Sequence, residues 1–181
     1  LQTDSDGTAL KIWKDTGYSA LVANLTAGTW FYFALRFNGS NVAAFYGTPT
    51  DASLTKVEES RPTTPTPNRV IFGDDVFGDQ LNGVIDNIIT YDTALTDAEI
   101  EAQRWRRLPV RTTNINFWLP TFSGTDRSKD FSGNARDMTV NGSPSDEDGA
   151  PVGWGGYILE VPYAVAGGTT YNQSVSGTVT D

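Results

Sequence analysis

The stretch Gly83 to Gln103, GVIDNIITYDTALTDAEIEAQ, changes its period halfway along. Through Tyr91, apolar residues fall on both faces of an extended chain (Val84, Ile85, Ile88, Ile89), the pattern of a strand lying centrally in a sheet. From Thr96 the pattern is helical. Thr96 is a threonine N-cap, and Glu99 three residues on completes the capping box TDAE, with Leu95 placed to act as a staple. Ile100 and the stem of Arg104 share one helical face. Pro109 biases Leu108 away from helical geometry, which places the helix end near Arg107 and gives about three turns. Asp86 lies inside the strand reading, between Ile85 and Ile88. A carboxylate there must be paired, so Asp86 is expected to be buried and bonded to a backbone amide or an arginine.

Elsewhere the chain of 181 residues shows almost no helical periodicity. Its 18 glycines, 9 prolines and 12% aromatic residues suit short strands joined by turns, so an all-β fold is expected. In GTWFYFALRFNGSNVAAFYG, Phe31, Phe33, Leu35 and Phe37 line one face of a strand, and Trp30, Tyr32, Ala34 and Arg36 the other. NGSN at Asn38 to Asn41 tolerates positive φ and predicts a hairpin returning through Val42 to Tyr46. TALKIWK reads as a strand with one wetter side, RPTTPTPN at Arg61 to Asn68 as an exposed loop, and RVIFG and NINFWLP as further strands. From Ser123 the texture is Gly, Ser, Asn and Asp with few apolar anchors, a segment expected to run as loops and short strands over the surface of the sandwich. The last residues, AGGTTYNQSVSGTVTD, read as a linker and the first strand of a further module.

A net charge of −9 repels nucleic acid and anionic lipid on average, so neither is an expected partner. Arg104, Arg106, Arg107 and Arg111 are the one basic concentration, and they are expected to decorate a helix end rather than read phosphates. With no cysteine and no histidine there is no disulfide, no thiolate chemistry, and no histidine base or ligand; any metal would be a hard cation held by oxygen. No run approaches the length of apolar sequence that spans a bilayer, so no membrane insertion is expected. Leu1 starts neither a signal peptide nor a natural reading frame, and the sequence reads as a piece of something longer.

An aromatic hairpin, a loop, and then G-x-I-D-x-I-x-x-Y-x-x-A-L-T-x-x-E-I resemble the ending of laminin-G-like, or concanavalin A-like, jelly-roll β-sandwich domains. Gly83, Ile85, Asp86, Ile88, Tyr91, Ala94, Leu95, Thr96, Glu99 and Ile100 carry the likeness. It implies a sandwich over 1–108 whose central strand carries Asp86 and whose helix caps an edge. Such domains have strands before the equivalent of Leu1, so the start of the jelly roll would lie upstream. The segment 109–163 resembles the irregular extension that follows this domain in many phage and environmental surface proteins, packed on the sandwich or on a neighbouring subunit, and 164–181 would open the next module. The setting implied is a virion surface or an extracellular assembly. The function implied is a non-catalytic structural or adhesive module, with a carbohydrate-binding, lectin-like module as the alternative.

Asp74, Asp75 and Asp79 in GDDVFGD could give oxygens to calcium, which domains of the resembled family often hold at one rim; the reading as solvated turn residues is preferred, since no D-x-D-x-D-G loop is present. Glycosidases on this sandwich place carboxylates on alternate residues of one strand. No such pattern occurs here, because Glu58 and Glu59 are adjacent and point to opposite faces, while Glu99 and Glu101 belong to the helix. An enzyme is not expected. Trp13 and Tyr18 are the preferred aromatics for stacking on a sugar ring, ahead of Trp105, Trp118 and Trp154, each of which could instead pack in a core. Trp118, Phe122, Phe131, Met138 and Trp154 are the expected anchors of the extension, with Trp118 and Trp154 in structural roles beside Asp86, Thr96 and Glu99.

Overall fold

A computed structural model describes residues 2–3, 9–14, 17–23, 26–39, 41–60, 83–120 and 127–140. Strands dominate them. In sequence order they are β1 (Gln2–Thr3), β2 (Ala9–Lys14), β3 (Gly17–Ala23), β4 (Tyr32–Asn38), β5 (Asn41–Gly47), β6 (Thr55–Ser60), β7 (Ile88–Tyr91), helix α1 (Asp97–Arg104) and β8 (Ile115–Leu119). They form three antiparallel sheets, ordered β1-β2-β3, β4-β5-β6 and β7-β8.

The aromatic hairpin forms where NGSN stands. Asn38 and Asn41 are the last register partners, and Gly39 takes φ 61°, a left-handed value that a glycine adopts without steric cost. Pairing continues through Leu35 with Ala44 and Ala34 with Phe45, and β6 adds Val57 opposite Ala44 and Glu58 opposite Ala43. Since directly opposed residues share a face, the sheet has two distinct sides. On one, Val42 and Ala44 are buried among Phe33, Leu35, Tyr46 and Val57. On the other, Ala43 and Phe45 are buried against Ile100 of α1, with Tyr32, Ala34, Leu54 and Leu95 around them. Strand β5 therefore has no wet face, and its run VAAF is apolar without alternation for that reason.

Helix α1 begins as its sequence dictates. The Thr96 hydroxyl accepts from the Glu99 backbone amide at 3.2 Å, and the Glu99 carboxylate accepts from the Thr96 amide at 2.8 Å. It ends earlier than Pro109 alone suggests. Trp105 and Arg106 donate to the carbonyls of Ala102 and Gln103, tightening the last turn, so the helix spans 8 residues rather than reaching Arg107.

One expectation needs correction. Asp86 does not lie on a strand: Asn87 adopts φ 56°, a left-handed conformation that asparagine tolerates but a ladder does not, and β7 starts only at Ile88. Among the described residues β7 pairs with β8 alone, so its central position is not seen there. Strand β8 comes from beyond Pro109, which means that the segment after the helix contributes to the same sheet as the strand before it. RVIFG, the Pro-rich loop and the final residues from 141 lie outside the described residues.

Candidate functional site

Polar side chains concentrate in two places: under and around α1, and where residues 127–140 meet β8. At the first, the helical stripe Ile100, Gln103, Arg104 faces inward. Arg104 is fully buried along its side chain, donates to the Thr48 carbonyl at 2.7 Å and to that of Asp51, and pairs with Glu101 at 3.0 Å. Glu101 in turn accepts from the Leu54 amide at 2.9 Å. The loop from Thr48 to Leu54 is thus tied to the helix by two side chains. Gly47 precedes it because a Cβ there would stand 3.0 Å from a Leu54 methyl. Gln103 is 5% exposed and uses its whole amide: it donates to the carbonyls of Arg106 and Leu108 and accepts from the Val110 amide and the Tyr91 hydroxyl.

At the outer edge of the same face, Asp97 in the first turn accepts from Arg36 and, at 3.1 Å, from Lys56, which also pairs with Glu58 at 2.8 Å. Both cations lie over the Phe45 ring, at 5.0 and 5.6 Å from its centroid. An open cleft of about 420 Å³ is lined here by Arg36, Asn38, Ala94, Leu95, Thr96 and Asp97.

At the second place Asp130 is the hub. One carboxylate oxygen accepts from the amides of Trp118 (3.0 Å) and Ser132 (2.8 Å), the other from the Ser132 hydroxyl (2.8 Å) and the Arg136 amide (2.9 Å). The Phe131 amide donates to the Trp118 carbonyl at 2.7 Å, and the Asn134 side chain donates to the carbonyls of Ile115 and Asn116. Trp118 is 6% exposed, meets Phe131 edge to face at 6.2 Å, and donates its indole N–H to Asn87. A smaller cavity of about 140 Å³ lies beside them, bounded by Leu108, Pro109, Thr112, Ile115 and Ser132 as well.

The electrostatics agree with this geometry. Burial works to raise the Asp130 carboxyl, but the amides of Trp118, Ser132 and Arg136 outweigh it and hold it below its ordinary value. Asp97 is held down by Arg36 and Lys56, Glu99 by the Thr96 amide and hydroxyl, Glu58 by Lys56 and Asn41, Asp51 by the Thr48 amide, and Asp137 by the Asp130 amide and Lys129. Burial raises Tyr32 and Tyr91. Among the described residues no resolved shift brings a carboxyl upward toward neutrality, where a general acid would titrate.

The residues singled out from sequence fall as follows. Asp86 has a side chain 5% exposed, ion-paired to Arg107. Thr96 and Glu99 form the capping box, and Glu99 also pairs with Arg111 at 3.2 Å. The arginines do more than decorate a helix end: Arg104 is interior, Arg107 holds Asp86, and Arg111 donates to the Ala94 carbonyl as well as to Glu99. Trp105 closes α1 with the Arg104 guanidinium 4.3 Å over its ring. Trp13 and Tyr18 are register partners across β2 and β3. Asp74, Asp75, Asp79, Phe122 and Trp154 lie outside the described residues, and among those described no three acidic side chains gather closely enough to hold a metal ion. Sequence reasoning missed Gln103, the buried role of Arg104 and the hub Asp130. The first two had a signal, polar residues at i+3 and i+4 from buried Ile100. Comparisons with known proteins return no matching family model, curated protein or solved structure.

Proposed function

We propose that this protein is a non-catalytic structural or adhesive module built on a laminin-G-like jelly-roll β-sandwich, working at a virion surface or in an extracellular assembly through contacts with neighbouring subunits. The observation that carries the non-catalytic reading is the commitment of its polar groups. Asp130, Gln103, Glu101 and Arg104 are spent on backbone amides and carbonyls that hold loops in place, and the resolved carboxyl shifts run downward. A hydrolase needs a carboxyl held protonated near neutrality or a base beside a nucleophile. These residues instead hold the loops on the sheets.

Support for the sandwich comes from burial. Val42 and Ala44, on the side of β5 away from α1, are 2% and 0% exposed. Around them on the same face Phe33, Leu35, Tyr46 and Val57 are half-buried, an apolar face suited to a second layer, the arrangement of two packed sheets. Support for the extension as part of the module comes from its attachment to β8 through Asp130, Phe131 and Asn134.

The test has two arms. Limited proteolysis of the isolated protein and of the assembled particle or oligomer should show protection between Ser123 and Gly156 in the assembly; equal cleavage in both overturns the assembly role. A glycan array with and without EDTA should show no binding; EDTA-sensitive binding would replace this reading with the lectin-like, calcium-dependent one, for which Asp74, Asp75, Asp79, Trp13 and Tyr18 would be the residues to substitute.

A further inference from the structure

The hairpin end between β4 and β5 presents two asparagines of opposite character, paired with each other. Asn41 is followed by Val42, which is 2% exposed, and its carboxamide donates to Glu58 at 3.1 Å. Asn38 is exposed and is followed by Gly39, also exposed, where the space a Cβ would fill is empty. No hydrogen bond holds the Asn38 carboxamide among the described residues. Glycine lacks the side chain that would shield its backbone nitrogen, and asparagine amides are among the thermally labile groups of proteins.

We propose that Asn38 is a site of spontaneous covalent modification, in which its amide converts to an acid through a cyclic imide while Asn41 stays intact. The Gly39 nitrogen bonds to Asn38 Cγ, the bond from Cγ to Nδ2 breaks, and ammonia leaves with the proton of the Gly39 N–H. Water then opens the five-membered imide at either carbonyl, giving aspartate or isoaspartate with no change of oxidation state.

The position gives the reaction a consequence. Alternation along β4 puts Asn38 on the same side as Arg36, and the two line the cleft with Thr96 and Asp97. The new carboxylate enters beside Asp97, with which it competes for Arg36. In the isoaspartyl product a methylene also moves into the backbone, which works against the register of Asn38 with Asn41.

The experiment incubates the folded protein in mildly alkaline buffer at physiological temperature, then maps tryptic peptides by mass. Cleavage after Arg36 and Lys56 isolates residues 37–56, whose asparagines are Asn38 and Asn41 alone. This peptide should acquire the amide-to-acid mass shift and react with isoaspartyl methyltransferase, with fragmentation placing the change at Asn38. In Asn38→Gln the shift should vanish. Conversion that appears only in the urea-unfolded protein, conversion at Asn41 to the same extent, or none in either state would overturn the proposal.

Discussion

Two regions of this molecule solve one problem, the attachment of a non-strand segment to a sheet, with different physics. Helix α1 lies on β4-β5-β6 through Ile100, Ala43 and Phe45, and its buried polar groups, Gln103 and Arg104, fasten loops around that apolar contact. Residues 127–140 lie along β8 with Phe131 against Trp118, and polar groups make the rest of the described attachment: Asn134 and the Phe131 amide bond β8 carbonyls, and the Asp130 carboxylate gathers the Trp118 amide with those of its own segment. Apolar burial is indifferent to pH and spreads over many atoms. A carboxylate hub is neither, so the two attachments should fail separately and under different conditions.

The largest effect is expected at the helix. Ile100 is 2% exposed, and Ile100→Ala should cost about 2–5 kcal/mol through lost transfer energy and the cavity left behind. Urea denaturation should register it as a loss of global stability. A change well under about 1 kcal/mol would mean that the helix is only loosely seated.

Next is the hub. Asp130→Asn removes the charge that the three amides favour and should cost about 1–3 kcal/mol, confined to the segment. Hydrogen exchange should show 127–140 losing protection while α1 keeps its own; loss in both regions together would erase the distinction drawn above. The same carboxyl fixes a pH dependence. Because its folded value lies below the unfolded one, its contribution is fully present above the ordinary carboxylate range and disappears as pH falls through the lowered folded value. Acid should therefore release 127–140 ahead of α1 in the wild type, and this pH step should be absent from Asp130→Asn.

The smallest effect concerns the cap. Thr96→Ala should cost about 1 kcal/mol, since the Glu99 amide loses its acceptor. Ser in its place should restore most of the loss, and circular dichroism melts of the two variants check both statements. A neutral alanine variant would assign the first turn to Asp97 and its cations instead.

What could be seen in the sequence was what depends on near neighbours. Thr96 and Glu99 are three residues apart, and NGSN is its own turn, so the cap and the hairpin were legible in full. Asp86 was legible as a carboxylate needing a partner, but Arg107 lies 21 residues away, and β7 begins only beyond Asn87, which turns left-handed. Arg104 reaches carbonyls 56 and 53 residues distant, a relation that no local pattern encodes. DFSGNARD shows in sequence a loop poor in apolar residues, with Phe131 as an anchor; that one aspartate could order it through backbone amides follows from loop conformation, not from residue type. The acidic cluster at Asp74, Asp75 and Asp79 lies outside the described residues, as does Trp154.

The placement of Gln103 bears on how fast the protein assembles itself. Strands β4 and β5 meet across a tight turn and can zip within microseconds, whereas β7 and β8 must wait for the whole excursion from Tyr91 to Ile115 to close. Gln103 bonds Tyr91 at one end of that excursion and Val110 well along it. Once α1 has formed, this amide stitches the long loop into a shorter one, and the entropy still to be lost before β8 finds β7 falls accordingly. Gln103→Leu should then slow refolding more than it speeds unfolding, the kinetic signature of a contact already made at the barrier.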